Sequence, residues 1–182
     1  MKISVVIRTK NEERWVGHSI QSIIDLLVSP EIIVVDNNSI DNTIHIVRSF
    51  QHSPELVESS SYSEIKILNI KDYSPGKALN FGVENASNNY ILIISSHCVL
   101  NKINIEKHIS DLKKHASIFG NQIPIWKGKK IGKRYLWSHF SNKKTQNMYS
   151  TLEKRYFLHN ALEINKKNTL KKYPFDENLT SK

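Results

Sequence analysis

The chain opens as an alternation of two hydrophobic periods. Ile3-Ser-Val-Val-Ile7 is a short β-branched run that predicts a buried strand. Trp15, Ile20, Ile23, Ile24 and Leu27 then recur at near-helical spacing, with Thr9 or Asn11 as the expected cap and Pro30 just past the helix end. Glu31-Ile-Ile-Val-Val-Asp36 predicts a second strand, and Asn37 to Asn42 a polar turn. Ser39 or Asp41 is placed to cap a helix carrying Ile44, Val47 and Phe50. Gln51 to Ser63 reads as a loop, Ile65 to Ile70 as a third strand, Lys77 to Ala86 as a helix behind the Pro75-Gly76 break, and Tyr90 to Ile94 as a fourth strand. Strands alternating with helices in this way predict a parallel sheet with helices on both faces. Strands that are apolar throughout fit burial on both sides. Ligands of such sheets sit at the carboxyl ends of the strands, here Arg8 to Glu12, Asp36 to Asp41, Asp72 to Lys77 and Ser95 to Cys98.

The second half is less regular. Ile105 to His115 reads as helix, Ile118 to Ile125 as strand, and Lys127 to Lys133 as a basic, glycine-containing loop. Tyr135 to Phe140 and Met148 to Leu158 read as aromatic-bearing helices, and Ala161 to Ile164 as a short strand before a lysine-rich helix ending near Pro174.

Composition fits one soluble domain: 182 residues, 39% hydrophobic and 24% charged. Cys98 is the only cysteine, which excludes an internal disulfide and points to a reducing compartment. Charges come too early for a signal peptide and apolar runs are too short for a membrane span, so a cytoplasmic protein is expected. Charge divides the chain. Residues 1–100 carry 8 basic and 11 acidic side chains, net −3, whereas residues 101–182 carry 18 and 6, net +12. The basic half could face nucleic acid, anionic lipid or a phosphorylated substrate, or be a solvated lysine-rich face.

Several motifs fail on inspection. Gly76-Lys77 is not a phosphate loop, because Lys71 stands where the first glycine should be and Ala78 replaces the metal-binding hydroxyl. Ser95-Ser96-His97 lacks the glycine elbow of a hydrolase nucleophile. No DNA or RNA motif accompanies the positive half, which disfavours nucleic acid. What survives is distributed: Thr9-Lys10-Asn11-Glu12 after the first strand, Asp36 to Asp41 after the second, and Lys77 at a helix N-terminus. A carboxylate at the sheet edge can accept from a pyrimidine N–H, nearby backbone and hydroxyl groups can hold a ribose, and a lysine on a helix N-terminus suits a diphosphate.

Four segments in order carry a resemblance: residues 3–12, residues 31–43, Gly76-Lys-Ala-Leu-Asn-Phe-Gly82, and Tyr90 to Ile94. Over residues 3–98 the chain resembles the family 2 glycosyltransferases of GT-A fold. The resemblance implies a Rossmann-like α/β architecture with a mostly parallel sheet of order 3-2-1-4, residues 1–100 forming a nucleotide-sugar-binding half. Residues 101–182 would form a basic, incomplete acceptor-side half of the same structural domain. It implies an inverting transfer from a UDP- or dTDP-sugar to a glycan or lipid-linked acceptor. Thr9, Glu12 and Asp36 would hold base and ribose, with Asp36 on the base; Asp41 would cap the following helix. Lys77 would approach the diphosphate and Asn80 would brace that loop.

Two departures from the family pattern matter. The usual Asp-x-Asp at the end of the fourth strand is replaced by Ser95-Ser96-His97, as in a bacterial subgroup with Ser-x-His-Cys there. Ser95 and Ser96 then stand for the nucleotide-sugar ligands, and His97 is the candidate ligand for Mn²⁺ or Mg²⁺, although a lone imidazole suits Mg²⁺ poorly. The second departure concerns the general base. Phe175-Asp-Glu177 matches the family's lead-in to an acidic pair that would fall beyond Lys182, so the base is expected there, with Asp176 and Glu177 as substitutes. A non-catalytic or truncated nucleotide-sugar-binding remnant is the alternative. Lys127, Lys129, Lys130, Lys133 and Arg134 fall on the acceptor side, where peripheral membrane contact is an option and self-association another. Trp126 and Trp137 could stack on sugars or anchor at an interface, with core burial the preferred reading.

Overall fold

The computed structural model describes residues 2–51, 64–130, 144–147, 149–151, 154–156 and 161–179. Its elements run β1 (Ser4–Thr9), α1 (Val16–Leu26), β2 (Glu31–Asp36), α2 (Thr43–Gln51), β3 (Glu64–Asn69), α3 (Pro75–Asn85), β4 (Tyr90–Ser95), α4 (Ile105–Asp111), β5 (Ser117–Phe119), β6 (Ile125–Trp126), β7 (Lys129–Lys130), β8 (Tyr149–Ser150), β9 (Arg155–Tyr156), β10 (Leu162–Lys166) and α5 (Lys167–Lys172). The expected 3-2-1-4 order is present and continues further, giving a six-stranded sheet β3-β2-β1-β4-β10-β5. The first four strands pair in parallel, while β10 runs antiparallel to both β4 and β5.

Burial on both faces explains why these strands are apolar at every position. Val5, Ile7, Ile32, Val34, Leu92 and Ile94 point to the face covered by Val16, Ile20 and Ile23 of α1 and Val47 of α2. Val6, Ile33, Val35, Ile91 and Ile93 point to the other face, under Ala78, Leu79 and Val83 of α3. Helix α3 lies close because Gly82 faces the sheet; a Cβ there would come within 2.4 Å of Val6 Cγ1. Register then sets the carboxyl ends of the three central strands level, with Thr9 opposite Asp36 and Arg8 opposite Ser95.

The amino ends are fastened by one carboxylate. Glu31 is 5% exposed. It accepts from Ser4 Oγ on β1, from Lys66 Nζ on β3 at 2.6 Å, and from the N–H and hydroxyl of Ser87 at 2.8 and 2.7 Å. Burial would raise its pKa, yet these donors prevail and hold it at about 2.

Several local expectations are corrected. Helix α1 has no side-chain cap from Thr9 or Asn11; the Glu12 carbonyl accepts from the N–H groups of Trp15 and Val16, both at 2.9 Å. The stretch Ile118 to Ile125 is two strands rather than one, because β5 stops at Phe119 and β6 begins at Ile125. Lys127-Gly128 is a hairpin turn between β6 and β7, since left-handed residues there reverse the chain in two steps. Within Met148 to Leu158 the described residues form the antiparallel β8–β9 pair instead of a helix, with Tyr149 and Tyr156 packed edge to face, ring centroids 5.1 Å apart. Trp126 is 66% exposed and not in the core. The Tyr135–Phe140 helix, Lys133, Arg134, Trp137 and almost all of the 51–63 loop lie outside the described residues. Among the described residues, no helix is long and apolar enough to cross a membrane.

Candidate active site

The turns after β1 and β2 interlock. Asn11 adopts a left-handed φ of 52°, which turns its backbone N–H onto Ser39 Oγ at 2.9 Å and its side-chain oxygen onto the N–H of Ile40 at 2.9 Å. Asp36 is 2% exposed and accepts from the Ser39 N–H at 2.9 Å and the Ser39 hydroxyl at 2.6 Å. The Asn37 N–H donates to the Thr9 carbonyl at 3.0 Å. Asp41 accepts from the N–H and hydroxyl of Thr43 at 3.0 and 2.5 Å, which is the capping role expected of it. The Glu12 N–H donates to Thr43 Oγ1 at 2.7 Å, so the two turns form one rigid ledge.

Against this ledge stands an unsatisfied group. Thr9 is 4% exposed, and its hydroxyl has no hydrogen-bond partner among the described residues. A buried hydroxyl without a partner costs about 1–3 kcal/mol, which a ligand donor or acceptor at the strand end would recover.

The end of β4 closes the other side. Ser95 and Ser96 are buried, and the Ser95 backbone is held by its N–H to the Ala161 carbonyl at 3.0 Å, ahead of β10. His97 stands out at 59% exposure with Nδ1 3.4 Å from Glu12 Oε1, an ion pair when the imidazole is protonated. Behind it, burial first and the Glu12 charge second raise the Cys98 thiol above its usual range, so it is a packed thiol rather than a nucleophile. Among the described residues no group of three or more His, Cys, Asp or Glu side chains could hold a metal. One imidazole and one carboxylate do not build a divalent-cation site by themselves.

Lys77 is placed differently from these residues. It lies in the first turn of α3, behind Pro75 and the capping hydroxyl of Ser74, which accepts its N–H at 3.1 Å. It lines a groove of about 360 Å³ at the end of β3, together with Asn69, Lys71, Asp72, Asn80 and Glu177. The hydrogen bonds thus unite Thr9, Glu12, Asp36 and His97 at one edge, while Lys77 lies on α3 beside the groove at the end of β3.

Three features escaped the sequence reading. Arg8 reaches Tyr73 Oη at 3.0 Å, tying the β1 end to the segment before α3; a lone cation inside an apolar strand was the available signal. Asn80 braces not the Lys77 loop but the segment after α5, accepting from the Phe175 N–H at 3.0 Å and donating to the Phe175 carbonyl and to Glu177 Oε1, both at 2.9 Å. Gly76 lies directly beneath that segment, where a Cβ would come within 2.2 Å of the Asp176 carbonyl oxygen. Asp176 itself accepts from the Asn178 N–H at 2.9 Å.

Comparison with known proteins follows the same outline. The model of the family described as Glycosyl transferase family 2 matches residues 4–172. A poly(ribitol-phosphate) β-N-acetylglucosaminyltransferase of Staphylococcus aureus, TarS, is 25% identical over 120 residues, 64% of this chain and 20% of the relative. An uncharacterized glycosyltransferase of Rickettsia typhi is 46% identical over 48 residues, 26% of this chain and 16% of its own length. The crystal structure of S. aureus TarS 1–349 in complex with UDP superposes with a TM-score of 0.70 at 20% identity, covering 100% of this chain and 52% of that one. Its complex with UDP-GlcNAc gives 0.66 at 20% identity, covering 94% and 47%. The chain therefore spans about half of those solved structures and about a fifth of the curated relative. With the sheet order, the ledge and a family match over most of its length, the chain has the GT-A fold and belongs to glycosyltransferase family 2.

Proposed function

We propose that this chain binds a nucleoside-diphosphate sugar, UDP- or dTDP-linked, and serves inverting transfer of the sugar to a glycan or lipid-linked acceptor on the cytoplasmic side of a membrane. The observation that carries the reading is the Asp36–Ser39–Asn11 ledge with the unpartnered Thr9 hydroxyl beside it. Asp36 accepts from the pyrimidine N–H, Thr9 and Glu12 hold base and ribose, and Ser95 and Ser96 border the sugar end. Lys77 meets the diphosphate from the α3 N-terminus, where helix dipole and ammonium charge act together. In the transfer the acceptor hydroxyl attacks the anomeric carbon as the bond to the diphosphate oxygen breaks, and the nucleotide leaves with that electron pair. Asp176 and Glu177 are weak candidates for the base that takes the hydroxyl proton. The first accepts from the Asn178 N–H and the second from the Asn80 amide, which supports a bracing role for this segment and a base supplied by another group. The same observation favours the second reading, a binding unit without turnover of its own.

Calorimetric titration with UDP, dTDP, GDP and CMP tests the donor site, each with and without Mn²⁺. A single pyrimidine diphosphate should bind, Asp36→Asn should weaken it about tenfold or more, and Mn²⁺ should change little in a site holding one imidazole and one carboxylate. Absence of binding by all four nucleotides overturns the donor reading. A metal-dependent gain that disappears in His97→Ala restores His97 as a metal ligand.

A further inference from the structure

We propose that the β6–β7 hairpin docks on the surface of an anionic lipid bilayer. Its strands are joined by Lys127 and Gly128, with φ of 47° and +74°. Two consecutive left-handed residues make the compact hairpin turn that follows the natural twist of a ribbon, and only the glycine adopts this φ without cost. Trp126 pairs with Lys129 and Ile125 with Lys130, so each face of the ribbon presents one apolar side chain beside one ammonium group. Both apolar members stand in solvent: Trp126 is 66% exposed and Ile125 is 64% exposed. Ile123, before the ribbon, is 46% exposed, and Lys127 Nζ lies 6.0 Å from the Trp126 ring centroid.

Charge selects the occupant. From residue 112 to residue 152 the sequence holds nine Lys and Arg residues and no Asp or Glu. A merely solvated lysine ribbon has no use for an exposed indole on one face and an exposed isoleucine on the other. A glycan would account for Trp126 and a single-stranded nucleic acid for Trp126 with the lysines, but neither accounts for Ile123 and Ile125. A second copy of a chain of net charge +9 meets like charge on this surface. An anionic bilayer met by the turn end of the ribbon takes every part: Trp126 on one face and Ile125 on the other both reach headgroup depth, and the lysine stems lie along apolar surface while their charges stay at the phosphates. The hairpin lies in the net-positive half, away from the β1–β2 ledge in sequence. This deepens the membrane-face part of the proposed function without resting on the donor chemistry.

The test is flotation of the whole chain with vesicles of phosphatidylcholine alone and of phosphatidylcholine mixed with phosphatidylglycerol. Two variants are compared, Ile125→Ser with Trp126→Ser, and Lys127→Glu with Lys129→Glu and Lys130→Glu, and UDP binding is measured on all three proteins. The parent should float with the anionic vesicles and far less with the neutral ones. Each variant should lose roughly tenfold or more in partitioning while binding UDP as the parent does. No flotation of the parent, or flotation undiminished in both variants, overturns the proposal. So does capture by a soluble phosphate-bearing polymer, or self-association, that the variants abolish when no vesicle binding is seen. Failure of the parent to bind UDP falls on the transferase reading alone and leaves the vesicle result standing.

Discussion

Two buried glutamates set opposite dependences on pH. Glu163, on β10, faces the same side of the sheet as Ile93, its register partner, and is 0% exposed, with neither carboxylate oxygen hydrogen bonded among the described residues. Burial raises its pKa to about 8, with Asn165 as a minor opposing influence. Between the ordinary carboxylate range and pH 8 the folded chain keeps a proton that the unfolded chain has released, so stability falls as pH rises through that window, by at most about 1.4 kcal/mol per unit. Glu163→Gln should flatten this decline, raising the thermal midpoint at pH 8 and leaving it nearly unchanged at pH 4. Glu31 behaves in the reverse sense. Its pKa of about 2 lies below the unfolded value, so its contribution is present above the usual carboxylate range and lost as pH falls toward 2. Glu31→Gln should cost roughly 2–3 kcal/mol at pH 7 in denaturant titration and almost nothing near pH 2. Asp36 was legible in the sequence because a carboxylate ending an apolar strand has few other uses. Glu163 was not singled out: its strand was expected, but burial of the charge depends on a β4 neighbour some seventy residues away, as the Glu163–Ile93 register shows.

At the scale of elements, α3 carries two duties on one surface. Its first turn presents Lys77 to the groove, and one turn later Asn80 clamps Phe175 by both backbone groups. The placement of the segment after α5 is thereby tied to the helix proposed to meet the diphosphate. Asn80→Ala should remove two backbone hydrogen bonds, about 1 kcal/mol each, and raise hydrogen exchange across residues 173–179 while β1 to β4 stay protected. Gly76→Ala should do the same by displacement, because its new methyl group meets the Asp176 carbonyl. Equal exchange in the parent and both variants would remove the clamp from the account. The helix itself was readable from Pro75-Gly76 and the apolar spacing behind it. Its partner was not, because Asn80 and Phe175 are 95 residues apart and amide side chains carry no periodic signature.

For the whole molecule, local pattern and distant pairing divide at residue 100. Before it, strands paired with parallel neighbours buried on both faces leave uniform apolar runs, and the sheet order follows from connection rules. After it, strands of two or three residues are too short to show a period, and the fifth place in the sheet is filled by a strand from near the other end of the chain. That insertion has a consequence for synthesis. A nascent chain that has released β1 to β4 holds β4 as an open edge, with Ile91 to Ile94 unpaired on one side, until Leu162 to Lys166 has left the ribosome. Chains arrested before β10 should bind chaperone and aggregate, and chains arrested after α5 should resist protease across β4. Pulse proteolysis on stalled ribosomes reads this directly, and equal protection at both lengths would show that the edge closes without β10. The interval during which this protein is vulnerable is therefore set by the translation time of the basic segment between those two strands.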